Sequence, residues 1–424
     1  FRVHPIRVAH SIVDSLALAI ETPAGVVLAS GDFKIDPDAP AEARTDLAAL
    51  AAWGERGVLA LLADSTNVEQ TGHTAGEDSV VPALTEAFES SRGRVLVSCF
   101  ATSIPRIQRV ADIARTTGRS LAFVGKRMCD NVEAATELGL LRLTAGSVVS
   151  ATTASELDPR RVAMLVSGSQ GEPFSALSLI GVGEHAQVGV GPGDTVVLSA
   201  RVIPGNERTV SRLIGNLFRR GCDVVHPGVA RVHVSGHGSQ DDLADLISLV
   251  RPRYLVPIHG EYRMLAQHAR FAARCGMAAD RVLLAEDGDV LVMDADKVCK
   301  ESRVAAGRVL LDRSGVHGLE DVVLRDRRQL STDGIVVPVV VMDKLTGRLE
   351  SEPEIVTRGF VDEAGRSGLI EEAARLVREA VETRPQEEHL DMALTRERLR
   401  QELRRFFRKR TQRRPMVIPV VMEI

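Results

Sequence analysis

Six apolar runs within the first 260 residues, each ending in polar residues, constrain the fold of this chain more than any other feature. They are GVVLAS (25–30), VLALLADS (58–65), RVLVSCF (94–100), RVAMLVSGS (161–169), DTVVLSA (194–200) and RYLVPIHG (253–260). Runs that stay apolar instead of alternating suit strands of a sheet covered by helices on both faces. The helices are legible too. SVVPALTEAFESS (79–91), IPRIQRVADIARTTG (104–118) and TVSRLIGNLFRRG (209–221) carry apolar residues at three- and four-residue spacing, and Gly221 reads as a helix stop. The alternation predicts an α/β fold.

After residue 296 the pattern changes. The stretch around 297–326 is rich in Gly and charge and reads as a linker with a short strand. A small domain then follows, with strands expected at 332–343, 353–361 and 416–424 and amphipathic helices at 368–382 and 394–409. A length of 424 residues favours two or three domains, and the 44% hydrophobic and 26% charged content is that of an ordinary globular protein. No apolar run reaches the roughly 18 residues of a membrane span, so no membrane is expected. The opening Phe1-Arg2-Val3-His4 lacks a signal peptide and a start methionine, so the chain is expected to begin inside a longer protein. Five scattered cysteines with no Cys-x-x-Cys pair argue against a disulfide framework or a zinc knuckle, and fit reduced thiols in a cytoplasmic protein.

The net charge of −4 does not mark a nucleic-acid binder, but the charge is uneven: 396–414 is strongly basic and 384–391 leans acidic. The basic helix has two readings. One is attraction of RNA through counterion release. The other, preferred on sequence, is a solvated face with i,i+4 pairs such as Arg398/Glu402, with Phe406 and Phe407 packed inward.

Chemistry concentrates in a few histidines and aspartates. His10 stands in HSIVDS and Asp32 in SGDFK, 22 residues later; Asp64 stands in ADSTN; His237 closes VHVSGH, and His259, in PIHGEYRM, follows after another 22 residues. Asp32, Asp64 and His259 each follow an expected strand, where the loops of α/β folds converge on one edge. Imidazole and carboxylate bind zinc or manganese, and two such ions can clamp a phosphoryl group. Asp32 suits a bridge between an ion held by His10 and one held by His259.

HSIVDS, GDFK, ADSTN, SGSQGEP, IPGNE, HVSGHGS, PIHGEYRM and the terminal KRTQRRPMVIPVVMEI together resemble ribonuclease J, of the β-CASP branch of the metallo-β-lactamase superfamily, over residues 1–424. The resemblance implies a metallo-β-lactamase αββα sandwich, incomplete at its N-terminus, with an inserted β-CASP α/β domain and a small α+β C-terminal domain. The implied segments are 1–75 and 225–296 for the metallo-β-lactamase domain, 76–224 for β-CASP, 297–326 for the linker and 327–424 for a dimerisation domain. It makes His10, Asp32 and His259 metal ligands, with Asp32 bridging two zinc ions (or manganese). Asp64 becomes an orienting acidic residue and His237 a catalytic one. His233, Ser235 and His237, at alternate positions that project to one side of an extended segment, become phosphate contacts. Ser169 in SGSQGEP and Arg201 before IPGNE become candidate RNA contacts.

The implied activity is a metal-dependent ribonuclease of RNA maturation and decay. It combines endonuclease with 5′-to-3′ exonuclease action on single-stranded RNA, preferably 5′-monophosphorylated, and leaves 5′-phosphate and 3′-hydroxyl ends. A homodimer or homotetramer and RNA-degradation complex partners are implied as well. Three departures stand out. Val13 replaces the usual Pro, Pro105 sits where a polar residue is common, and the family's His-x-His-x-Asp-His cluster does not occur. With only two protein ligands left per ion, weak metal binding and little turnover are expected of these 424 residues alone. The alternatives are a non-catalytic RNA-binding or scaffold subunit paired with an active paralogue, a small-molecule metallohydrolase, and a DNA-processing relative.

Overall fold

The computed structural model describes all residues except 308, 310–320, 345, 362–365 and 384–391. The chain divides into two compact units, Phe1–Ala306 and Gly307–Ile424. The acidic stretch 384–391 and residues 308 and 310–320 of the expected linker lie outside the described residues.

In the first unit, β1 (Arg2–Arg7), β2 (Leu16–Thr22) and β3 (Gly25–Ala29) form an antiparallel meander, and β4 (Ala60–Asp64) runs parallel to β3. Residues 95–225 build a second, all-parallel sheet from β5 (Val95–Ser98), β6 (Ser120–Val124), β7 (Val162–Val166), β8 (Thr195–Leu198) and β9 (Asp223–Val225), in the spatial order β6-β7-β5-β8-β9. The chain then returns to the first sheet with β10 (Tyr254–Ile258), parallel to β4, giving the order β1-β2-β3-β4-β10. A hairpin of β11 (Asp289–Met293) and β12 (Val298–Arg303) follows, so the expected linker opens on a strand. The α/β expectation is borne out.

The apolar runs form the central strands because both their faces are covered. On one side of the second sheet, Val95, Val97, Leu121, Leu165 and Val197 join Leu84, Phe88 and Ile107 from the helices. On the other, Leu96, Val124, Met164, Val166 and Leu198 meet Leu177, Ile180 and Leu213. The departure at Pro105 falls in the first turn of the helix Ile104–Thr116, where proline costs no backbone hydrogen bond. Val13 is half-buried against the core of the second sheet.

The first sheet is covered by helices Leu47–Arg56 and Gln240–Val250, which touch at Gly54. A Cβ at Gly54 would lie 2.1 Å from the Leu249 carbonyl oxygen, so only glycine permits this approach. That contact seats the helix that begins three residues after His237.

The second unit packs β13 (Ile335–Met342) between β14 (Glu354–Arg358) and the paired ends β15 (Met416–Val417) and β16 (Val420–Glu423). Helices Arg366–Glu382 and Met392–Thr411 cover one face, burying Val336, Val340, Phe360, Leu403 and Phe407. Phe407 is buried and Phe406 packs partly against it. The i,i+4 pair Arg398/Glu402 does not form: Glu402 pairs with Arg405 at 3.5 Å, and Glu397 with Arg400, both at i,i+3. The cysteines are all free, with Cys99 and Cys222 buried but Cys129 and Cys275 exposed. Among the described residues, no helix is long and apolar enough to cross a membrane.

Candidate metal centre

Three adjacent parallel strands end on one edge. Ile258 of β10 pairs with Asp64 of β4, and Leu62 of β4 pairs with Ala29 of β3. Asp32 follows β3 by three residues, Asp64 is the last residue of β4, and His259 comes directly after β10. His10 reaches the same edge from the β1–β2 connection. There the Lys34 backbone N–H donates to the Ala9 carbonyl at 2.8 Å, tying the HSIVDS loop to GDFK.

Asp64 is 2% exposed, and both its oxygens are engaged. Oδ2 accepts from His237 Nδ1 at 2.6 Å. Oδ1 accepts from the Thr66 backbone at 2.9 Å, the Thr66 hydroxyl at 2.7 Å and His259 Nδ1 at 3.3 Å. Burial alone would raise its pKa, but the hydrogen bonds from His237 and His259 hold the carboxyl well below the usual range. The same bond raises the pKa of His259, against burial. His259 adopts φ +56°, a left-handed conformation uncommon outside glycine, which turns its ring onto the carboxylates.

His10 is oriented from behind. Its Nδ1 donates to the Gly236 carbonyl at 2.8 Å, leaving Nε2 facing Asp32 Oδ2 at 3.8 Å. A carbonyl on the far nitrogen is the usual way a ligating imidazole is held. Burial lowers the pKa of His10 despite this backbone bond, and with Nδ1 as the donor, Nε2 accepts from the Ser11 hydroxyl at 3.2 Å. A Cβ at Gly236 would lie 2.6 Å from the His10 ring, so the glycine of HVSGH makes this approach possible.

Asp32, 41% exposed, faces His10 on one side and His259 Nδ1 at 3.3 Å on the other. One donor atom each from Asp32, Asp64, His237 and His259 lies within 4.8 Å of all the others. Two imidazoles and two carboxylates in that space fit zinc or manganese. The structure thus brings all five of His10, Asp32, Asp64, His237 and His259 together, with Asp64 and His237 inside the tightest donor set and His10 at its border.

The remaining candidates are spread further. The Ser235 hydroxyl accepts from the His237 backbone N–H at 3.2 Å and shapes that loop. His233 lies within the field of Arg106 and Arg201, and its buried Nδ1 has no partner among the described residues. Burial, with those two cations, pushes its pKa down to about 4. Ser169 is buried. Arg201 is exposed, and its guanidinium donates to Asn67 Oδ1 at 3.0 Å while Asn67 Nδ2 donates to the His237 carbonyl at 2.8 Å.

Sequence reasoning passed over this supporting layer of Thr66, Asn67, Thr74 and Asp242. Thr74 Oγ1 donates to the His237 carbonyl at 2.7 Å. Buried Asp242 accepts from the backbones of Thr74 and Ser239, both at 2.8 Å. Only Asp242 carried a local signal: Ser239 and Asp242 form a capping box, the Ser-x-x-Asp pattern that opens a helix.

With this geometry in hand, three domain descriptions match the chain. These are "Ribonuclease J, beta-CASP domain" over residues 92–217, "Zn-dependent metallo-hydrolase RNA specificity domain" over 224–276 and "Ribonuclease J C-terminal domain" over 322–424. Ribonuclease J2 of Bacillus subtilis is 38% identical over 423 residues, covering 100% of this chain and 76% of the relative. The chain belongs to the ribonuclease J family. Ribonuclease J 1 of Streptococcus pyogenes is 35% identical over 98% of this chain and 74% of its own length. Ribonuclease J of Synechocystis is 39% identical over 85% of this chain and 56% of its own. The family's β-CASP and metallo-hydrolase domains accord with the two sheets described above, a metallo-β-lactamase fold with a C-terminal domain.

Behind Asp64, Ser65 Oγ lies 2.9 Å from Nδ1 of His268, a fully buried imidazole whose pKa burial pushes down from 6.5 to about 4. The unfolded chain therefore takes up a proton that the fold refuses between those values. Stability is expected to fall as pH drops from about 6.5 toward 4, by about 3 kcal/mol from this group. Urea midpoints measured across this range should flatten in His268→Met relative to the native chain; equal slopes would refute the assignment.

Proposed function

We propose that this chain hydrolyses phosphodiester bonds of single-stranded RNA at the centre formed by His10, Asp32, Asp64, His237 and His259. The observation that carries the reading is the convergence of four donor atoms within 4.8 Å at the carboxyl edge of β3, β4 and β10, in a chain of the ribonuclease J family. We read residues 1–75 and 225–296 as the metallo-β-lactamase domain, 76–224 as β-CASP and 327–424 as a dimerisation domain.

Zinc or manganese, as two ions when fully loaded, would supply Lewis acidity toward water and neutralise phosphate charge. His10 and Asp32 would hold one ion, and Asp32 and His259 the other, since Asp32 is the exposed carboxylate between the two imidazoles. Asp64 positions: it fixes His237 through Nδ1, so that Nε2 can donate to a phosphate oxygen and deliver a proton to the departing 3′ oxygen. The products are then a 5′-phosphate and a 3′-hydroxyl. Endonucleolytic cutting and 5′-to-3′ exonuclease action from a 5′-monophosphate both fit this chemistry. The 424 residues alone should retain fewer than two equivalents of metal after dialysis, given the few donors for each ion.

The protein, given 5′-monophosphorylated single-stranded RNA, should release 5′-phosphate products and leave matched DNA and nitrocefin intact. Asp64→Asn and His237→Ala should each lower kcat about 10²–10⁴-fold with little change in KM. Turnover of nitrocefin, or cutting of DNA but not RNA, would remove the reading.

The C-terminal unit supports a homodimer or a homotetramer built from it. The outer face of its sheet carries Val337, Val339 and Val341 of β13 beside Val420 and Met422 of β16, all partly exposed. An apolar sheet face of this kind marks an association surface. Val339→Lys with Met422→Lys should convert the dimer to a monomer in sedimentation while leaving the helix content unchanged; an intact dimer would exclude this face.

A further inference from the structure

We propose that a cleft in the C-terminal unit, between helices Asp321–Asp333 and Met392–Thr411, is a second RNA-binding site that grips the phosphate backbone of a single strand without reading its bases. The proposal rests on the ribonuclease reading for the identity of its ligand. The cleft has a volume of about 810 Å³ and is lined by Arg325 and Arg328 from one helix, Arg404, Arg405 and Arg408 from the other, and Arg414 from the segment before β15. Six arginines face two aspartates, Asp326 and Asp333, in a chain whose net charge is −4.

Convergence separates this cleft from an ordinary solvated helix face: unpaired arginines from two helices line one space. On the long helix outside the cleft, Arg400 is neutralised by Glu397 and Arg410 by Glu372, while Arg396 and Arg398 have no ion-pair partner among the described residues and face no arginine of a second helix across a cleft. In the cleft, Asp333 is taken up by the Arg414 backbone N–H at 3.1 Å, and Arg405 pairs with Glu402 at 3.5 Å. Arg325, Arg328, Arg404 and Arg408 have no ion-pair partner among the described residues. Arg404 and Arg408 stand one turn apart, an arrangement of like charges that destabilises a helix. A polyanion relieves that repulsion, and guanidinium forks match phosphate oxygens. No aromatic side chain lines the cleft to stack a base, which points to backbone contact and not base readout.

The test is fluorescence anisotropy of the full chain with a labelled single-stranded RNA in EDTA, across 50–200 mM salt. Each phosphate contact contributes about −0.7 to the slope of log K against log salt. The variant Arg325→Gln/Arg328→Gln/Arg404→Gln/Arg408→Gln should lose about 2–3 from the steepness of that slope and at least about tenfold in affinity at low salt. Arg400→Gln, on the same helix but outside the cleft and paired with Glu397, should keep the native slope. The graded single variant Arg408→Gln, with a loss of about 0.7, guards against misfolding of the multiple variant. Native slope and affinity in the folded fourfold variant would overturn the proposal, as would capture of poly-glutamate by the native cleft with no salt-sensitive RNA binding. If the protein cuts RNA and the variant keeps the native slope, this proposal fails and the nuclease reading stands. If the cleft binds RNA and no RNA is cut, the nuclease reading fails alone.

Discussion

The buried carboxylate of Asp64 accepts hydrogen bonds from His237, His259 and Thr66 at once, and the geometry of the whole centre follows from this. Two imidazoles that reach the site on separate loops are fixed by one group at the end of β4. A carboxylate 2% exposed stays ionised only because these donors offset its lost hydration. Remove the partners and the burial turns from an asset into a penalty. Asp32, exposed and facing His10 and His259, is left free for a cation.

Sheet topology supplies the precision. Because β3, β4 and β10 are adjacent and parallel, their last residues share one edge, and ligands separated by more than two hundred positions in sequence become neighbours. The β-CASP sheet is inserted between β4 and β10 without disturbing their register. Gly54 and Gly236 mark where backbones must come closer than a side chain allows: one seats the helix after His237, the other lets the His10 ring approach the HVSGH loop.

The central strands and the candidate site residues at their ends were legible because each was local: an apolar run followed by Asp or His. β1 was not: Arg2, His4 and Arg7 interrupt Val3 and Ile6, as suits the edge strand of the sheet, and no apolar run forms. β2 carries the run Leu16–Ile20, which sequence reasoning passed over because no candidate site residue ends it. The contacts that orient the site were also hidden. Arg201 meets Asn67 across 134 residues and His10 meets Gly236 across 226, separations that leave no periodic signal. On the terminal helix, i,i+4 spacing suggested Arg398/Glu402, while the rotamers selected i,i+3 partners and left Arg404 and Arg408 of the cleft unpaired among the described residues. Short-range charge pairing is degenerate, and packing against neighbouring elements decides among the choices.

The central claim is that Asp32, flanked by His10 and His259 and oriented through Asp64, is where a cation meets the RNA linkage. Anomalous diffraction from crystals of the manganese-loaded protein tests it most directly. The account predicts an anomalous peak at coordination distance, about 2.0–2.2 Å, from a carboxylate oxygen of Asp32 and a ring nitrogen of His259. Manganese bound elsewhere at saturation, with Asp32 and His259 free of it, would contradict the account.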